Sequence, residues 1–178
     1  MRIEITRVED LLPADHDELR ALTIAVYSPA VTATLPATQT TWAPTTWTIR
    51  VRNDDDCLVS QVGMLTREIS VNGVQTMVGG IGGVKTHPDA RSQGHAAAAM
   101  RTAAGFFTDE LGVAFMLLVC LPPIVPYYER LGWQRFCGTL LVAQPGCTIP
   151  FTANLPMVLP ARAAAPLHGT IDLCGYPW

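Results

Sequence analysis

Two short stretches hold the residues whose types and spacing suit chemistry. The first is Val84-Lys85-Thr86-His87-Pro88-Asp89-Ala90-Arg91-Ser92-Gln93-Gly94-His95-Ala96. A β-rich run ends there, a short turn follows, and a helical run opens at a glycine. The first N–H groups of a helix lack partners inside it, and the helix dipole adds partial positive charge, so such a terminus attracts anions. Gly94 and Ala96 leave that backbone uncovered, so a phosphate can approach it. Taken alone, the glycine fits an ordinary strand-to-helix turn better. The second stretch is Pro126-Tyr127-Tyr128-Glu129-Arg130-Leu131-Gly132-Trp133. A phenol, with an ordinary pKa of ~10, can hand its proton to a leaving group of similar basicity. An isolated tyrosine pair on a short helix fits core packing as well.

The other reactive side chains point away from metal or nucleophile chemistry. Cys57, Cys120, Cys137, Cys147 and Cys174 form no CxxC pair, and no histidine stands at zinc-ligand spacing. They read as apolar thiols in a reducing compartment, with Cys120 in a buried strand as core rather than nucleophile. Asp54-Asp55-Asp56 reads as a solvated turn, and no metal is expected. His87 and His95 fit phosphate contact and solvent exposure equally. Trp42 and Trp47 fit an acceptor wall and core packing equally.

These stretches need a framework to position them. The 178 residues, with 49% hydrophobic and 15% charged, suit a single globular domain over 1–178. A net charge of −3 argues against nucleic acid as a partner. Charges interrupt the N-terminus at once, and no apolar run reaches the ~18 residues that span a bilayer, so a cytoplasmic protein without a membrane partner is expected. The pattern predicts a strand over 3–7, a helix over 15–26 capped by Asp15, and a long loop over 28–46. Strands follow over 47–53, 57–71 and 74–86, the last two joined at Asn72-Gly73, a strong hairpin signal. A helix over 93–111 leads to a buried strand over 113–121. A short helix over 127–131, a strand over 133–144 and a final strand over 169–173 complete the order. The central strand-helix-strand should be a right-handed crossover.

The pattern V-x-T-x-P-x-x-R-x-x-G-x-A over 84–96 resembles motif A of the GNAT superfamily of N-acetyltransferases. That resemblance implies an α/β (α+β) GNAT fold. A mixed twisted sheet of about seven strands would carry helices on both faces and a cofactor cleft between the fourth and fifth strands. It implies acetyl-coenzyme A as cosubstrate. The amides of Arg91, Ser92, Gln93, Gly94, His95 and Ala96 would take the pyrophosphate, and Val84, Lys85 and Thr86 would bond the pantetheine arm. The glycines of Gly79-Gly80-Ile81-Gly82-Gly83 would supply the bulge that splays the two strands. The second stretch resembles the Y-x-x-x-G-[FW] signature of the same superfamily. The match selects Tyr128 as the proton donor to the departing thiolate.

The tail, Thr170-Ile171-Asp172-Leu173-Cys174-Gly175-Tyr176-Pro177-Trp178, looks like that of the aminoglycoside 2′-N-acetyltransferases. There the final tryptophan and its carboxylate line the acceptor pocket. By that resemblance Asp172 and Trp178 would bind substrate. The mycobacterial enzymes of this branch carry a glutamate where this chain has Gly82, and an acidic run where it has Phe151-Thr152-Ala153-Asn154. The carboxylate of Trp178 is then the expected stand-in base. The missing acids favour a less basic amino sugar, of the kasugamycin kind, over polycationic aminoglycosides. The expected reaction is direct acetyl transfer to a primary amine of a small molecule, giving antibiotic resistance. The rivals are a protein or peptide N-acetyltransferase and a non-catalytic acyl-coenzyme A sensor. A homodimer is left open.

Overall fold

Alternation of apolar and polar residues sets the faces of the sheet, because successive strand side chains point opposite ways. The computed structural model describes residues 1–27, 29–32 and 39–178. Within β2 (Trp47–Arg52), Ile49 and Val51 point to one face, where they join Val62, Met64 and Ile81 of the neighbouring strands. Thr48, Arg50 and Arg52 point to the other. There α1 (Pro13–Val26) meets them, with Arg50 paired to Asp15 and Arg52 to Glu18. The first face is covered by α3 (His95–Gly105), through Ala99, Met100 and Ala103. Helices therefore lie on both faces, as expected.

The remaining elements are β1 (Arg2–Arg7), α2 (Pro29–Thr32), β3 (Leu58–Val71), β4 (Val74–Thr86), β5 (Phe115–Cys120) and α4 (Val125–Glu129). After them come β6 (Gln134–Arg135), β7 (Thr139–Gln144), β8 (Cys147–Pro150), β9 (Leu155–Pro160) and β10 (Thr170–Asp172). Among the described residues these ten strands form one sheet, in the order β6-β9-β5-β4-β3-β10-β7-β8, with β2 also on β3 and β1 on β2. The β4–β5 and β10–β7 pairs are parallel; the rest are antiparallel. The long β3 takes β2 along its first half and β10 at its last residues. The hairpin between β3 and β4 turns where expected, with Asn72 at φ 49° and Gly73 at φ 85°, both left-handed as a two-residue hairpin loop prefers. Asn72 also holds β10 in place, its Oδ1 accepting from the Thr170 N–H at 2.8 Å.

Several expectations need correction. Asp15 is not the N-cap of α1. It sits three residues inside and accepts from the Leu12 N–H at 3.0 Å. The third helix ends at Gly105, and a wider π-helical turn over Phe106–Glu110 carries the chain on. The strand expected over 133–144 is two strands, and the break falls at Gly138, where the chain passes so close to Gly169 that a side chain would collide with its carbonyl. The chain changes neighbours there, β6 pairing with β9 and β7 with β10. β8 and β9 add to the expected seven strands. Of the expected loop over 28–46, residues 28 and 33–38 lie outside the described residues; α2 and 39–46 are described.

Candidate active site

The strands β4 and β5 separate partway along. They pair only at Gly79–Ile81 with Met116–Leu118, yet run on to Thr86 and Cys120. The cause lies on the far edge of β4. Gly63 pairs with Gly82 and Gln61 with Lys85, so a single β3 residue between them faces both Gly83 and Val84. Gly83, at φ 60°, takes the left-handed turn this bulge requires. The glycine run thus bends β4 away from β5. A cavity of about 850 Å³ opens there, bounded by 81–85 on one side and 118–121 on the other.

Tyr128 reaches this cavity from α4, 6% exposed. Its ring lies edge-on to Tyr127 and Trp133, with centroids at 5.1 and 6.1 Å. Burial raises its pKa above the usual phenol value, and Cys120, Tyr127 and Tyr27 add to the effect. The phenol is therefore neutral at physiological pH, suited to donating a proton and not to taking one. Tyr127 also lines the cavity, and its buried hydroxyl has no partner among the described residues.

Cys120 stands at the mouth of the splay with its thiol donating to the Met157 sulfur at 3.6 Å. Burial pushes its pKa up to about 11. Only about one part in a thousand is then thiolate at pH 8, which rules against a nucleophilic role. Iodoacetamide at pH 8 should label Cys57, Cys137, Cys147 and Cys174, all exposed, well before Cys120. Peptide mass mapping over a time course checks this.

The loop ahead of α3 turns sharply through two left-handed residues, Ser92 at φ 61° and Gly94 at φ 82°. A Cβ on Gly94 would meet nothing within 4 Å, so the space above it is open to a ligand. Arg91 Nε donates to the Thr86 carbonyl at 3.4 Å, and Gln93 Nε2 to the Asp89 carbonyl at 3.1 Å, which braces the loop. His95 turns inward, 8% exposed, its ring nitrogens 3.3 Å from Met1 Sδ and Gln93 Oε1. Only its backbone is placed for an anion. The His87 ring nitrogen accepts from the Asp89 N–H at 3.3 Å. Ala96 follows in the first turn of the helix.

On the α1 face, three glycines of β3 and β4 hold groups from elsewhere in the chain. A Cβ on Gly63 would lie 2.7 Å from the Thr45 methyl, and one on Gly82 2.7 Å from the carbonyl carbon of Trp178. A side chain on Gly80 would collide with the Trp178 indole. That indole donates to the Leu117 carbonyl at 3.0 Å and lies under the Arg67 guanidinium, 5.0 Å from its centroid. The Ala43 N–H reaches the Pro177 carbonyl at 2.6 Å, tying the 40–46 segment to the tail. Trp42 lines the cavity, edge-on to Phe151 at 5.9 Å, whereas Trp47 packs on Phe106 at 5.8 Å in the core.

The structure therefore brings Tyr128, Val84, Lys85 and Trp178 to one cavity. It does not bring Asp172 there. That residue lies on β10, where its carboxylate accepts from the Cys174 N–H at 2.8 Å and shapes a turn. Thr86 bonds to Ser60 through hydroxyls 2.9 Å apart. The Lys85 carbonyl accepts from Ser60 Oγ at 2.7 Å, while its ammonium crosses to α1 and donates to Thr23 Oγ1 at 2.8 Å. Sequence reasoning missed Gln61 and Tyr27 as lining residues, and nothing in their local patterns marks them; Asn154, from the stretch compared with the acidic run, also lines the cavity.

Solved acetyltransferases share this fold. It superposes on a GNAT family N-acetyltransferase from Escherichia coli, determined in complex with CoA, with TM-score 0.61 and 17% identity, over 97% of this chain and 90% of that one. A GNAT family acetyltransferase from Brucella melitensis, in complex with acetyl-CoA, gives 0.58 and 16% over 96% and 94%. The ribosomal-protein-S18-alanine N-acetyltransferase of Escherichia coli gives 0.54 and 14% over 92% and 97%. No curated protein matches in sequence. A family model described as an acetyltransferase (GNAT) domain matches residues 7–136, which covers the bulged β4, the loop ahead of α3 and Tyr128. The chain belongs to the GNAT acetyltransferase family.

Proposed function

We propose that the chain transfers acetyl from acetyl-coenzyme A to a primary amine of a small amino sugar. An aminoglycoside antibiotic acetylated at a 2′-amine, as in a kasugamycin-like substrate, fits this reading, and resistance would follow. One observation carries it: a single cavity runs from the splayed β4–β5 edge and Tyr128 to a recess on the α1 face. Trp42, Thr45, Asn154 and Trp178 line that recess. The open space at Gly94 and the unpaired end of β4 suit a coenzyme A-sized cosubstrate. The recess suits an acceptor the size of a sugar ring better than an extended peptide.

In the reaction the neutral amine attacks the thioester carbonyl, the C–N bond forms and the C–S bond breaks. Tyr128 gives its proton to the sulfur and regains one through solvent as the nitrogen sheds its second proton, and backbone N–H groups at the end of β4 polarise the carbonyl. The amine arrives as an ammonium ion and loses a proton to the Trp178 carboxylate, which occupies the space of a residue-82 side chain. Thiol release measured over a panel of amino sugars, kasugamycin and peptide amines tests the reading. Turnover of amino sugars supports it; turnover of peptides alone overturns it.

Cofactor binding has its own test. Coenzyme A should raise the Tm of the wild type, because a ligand of the native state stabilises it. Gly94→Val places a branched side chain in the open space and at a left-handed φ, which costs about 1–2 kcal/mol. The variant should melt lower yet fold, and should lose the coenzyme A shift. An unchanged shift would place the phosphates elsewhere.

A further inference from the structure

Lys85, one of the residues that line the cavity, carries a charge that acetyl transfer leaves unused. Three basic residues project from the sheet toward α1: Arg50, Arg52 and Lys85. Arg50 pairs with Asp15 and Glu4, and Arg52 with Glu18. Lys85 differs from both. Its ammonium has the Thr23 hydroxyl, and no carboxylate among the described residues forms an ion pair with it. Burial lowers its pKa from the ordinary lysine value. A half-buried charge without a counter-ion is unfavourable unless a ligand supplies one.

The surroundings match a ligand of mixed character. Gln61, the register partner of Lys85, donates through Nε2 to Thr48 Oγ1 at 3.3 Å. Its Oε1 is buried and has no partner among the described residues, and the same holds for Asn154 Oδ1. Both residues line the cavity, as does Tyr27, whose phenol burial keeps neutral. The amide side chains of Gln61 and Asn154 add neutral polar lining to the cavity. One idle cation calls for an anion. The bulge puts Lys85 only two β3 residues beyond Gly82, roughly 7 Å along the sheet.

We propose that the acceptor carries an anionic group, a carboxylate or a phosphate, which the Lys85 ammonium binds while the acceptor amine lies near Gly82. The inference rests on the reading of this recess as the amino-sugar site, and it narrows the substrate to an acidic or zwitterionic amine. A polycationic acceptor would place a like charge against Lys85.

Thiol release measured with muramic acid, glucosamine 6-phosphate and glucosamine tests it. These amines share one ring and differ in carrying a carboxylate, a phosphate or neither. At least one anionic amine should exceed glucosamine in kcat/KM by tenfold or more, and which one identifies the anion. Lys85→Met should bring that ratio to about one, and Lys85→Arg should retain most of it. Equal use of all three, or a preference that survives Lys85→Met, overturns the inference. If no amine turns over, the amino-sugar reading fails first. Calorimetric titration of muramic acid and glucosamine 6-phosphate into coenzyme A-loaded protein then decides. Binding that Lys85→Met weakens at least tenfold sustains an anion site, and its absence removes it.

Discussion

Tyr128→Phe should lower kcat about 100-fold or more while KM changes little. The substitution keeps the ring, so its packing on Tyr127 and Trp133 survives. It removes only the hydroxyl, and a proton donor acts on the transition state rather than on substrate binding. Because burial holds the phenol neutral, the wild-type rate should show no loss of the donor up to and beyond pH 9. Steady-state kinetics on both variants separates the two tyrosines. If Tyr127→Phe loses kcat and Tyr128→Phe does not, the partnerless hydroxyl of Tyr127 is the donor instead.

Adding two glycines after Trp178 should reduce kcat/KM by about 100-fold, the scale of a lost general base. The extension keeps the indole, with its bond to the Leu117 carbonyl and its stacking under Arg67. It moves the negative charge by up to ~7 Å. The melting temperature should change little, which distinguishes this outcome from loss of the anchored tail. Gly82→Ala is the complementary probe, since its methyl would come within 2.7 Å of the Trp178 carbonyl carbon and push the carboxylate aside. Unchanged kcat/KM in the extended protein would assign deprotonation to water.

Local signals in the sequence located the bulged β4 and the loop ahead of α3. Asn72-Gly73 and Gly94 each specify a backbone conformation by themselves, and both adopt it. The rest of the cavity depends on contacts remote in sequence. β9 carries Pro156 and Pro160, neither of which can donate to a strand partner, yet the strand forms because β5 and β6 pair with it on either side. Lys85 shows the limit most clearly. Simple alternation puts Gly82 and Lys85 on opposite faces, but the extra residue at Gly83–Val84 restores them to the same one. The bulge was legible from its glycines; its effect on the direction of every later side chain was not. Trp42 and Trp47 are alike in the sequence, and only the placement of Phe151 and Phe106 assigns one to the cavity and one to the core.

The glycines of β4 also govern how the site can drift under mutation. Gly79 presses against Phe107 on one face, and Gly80 against the Trp178 indole on the other. The strand is bare at its centre because large side chains from distant segments stand where its own would be. Any single replacement at 79 or 80 must displace an anchored aromatic ring, so both positions should appear nearly invariant in a saturation-mutagenesis screen for activity. A tolerated change at Gly80 should require a smaller residue at 178 in the same clone. New acceptor specificities should then arise first at Trp42, Gln61, Lys85 and Asn154, whose side chains line the cavity without filling a neighbour's place.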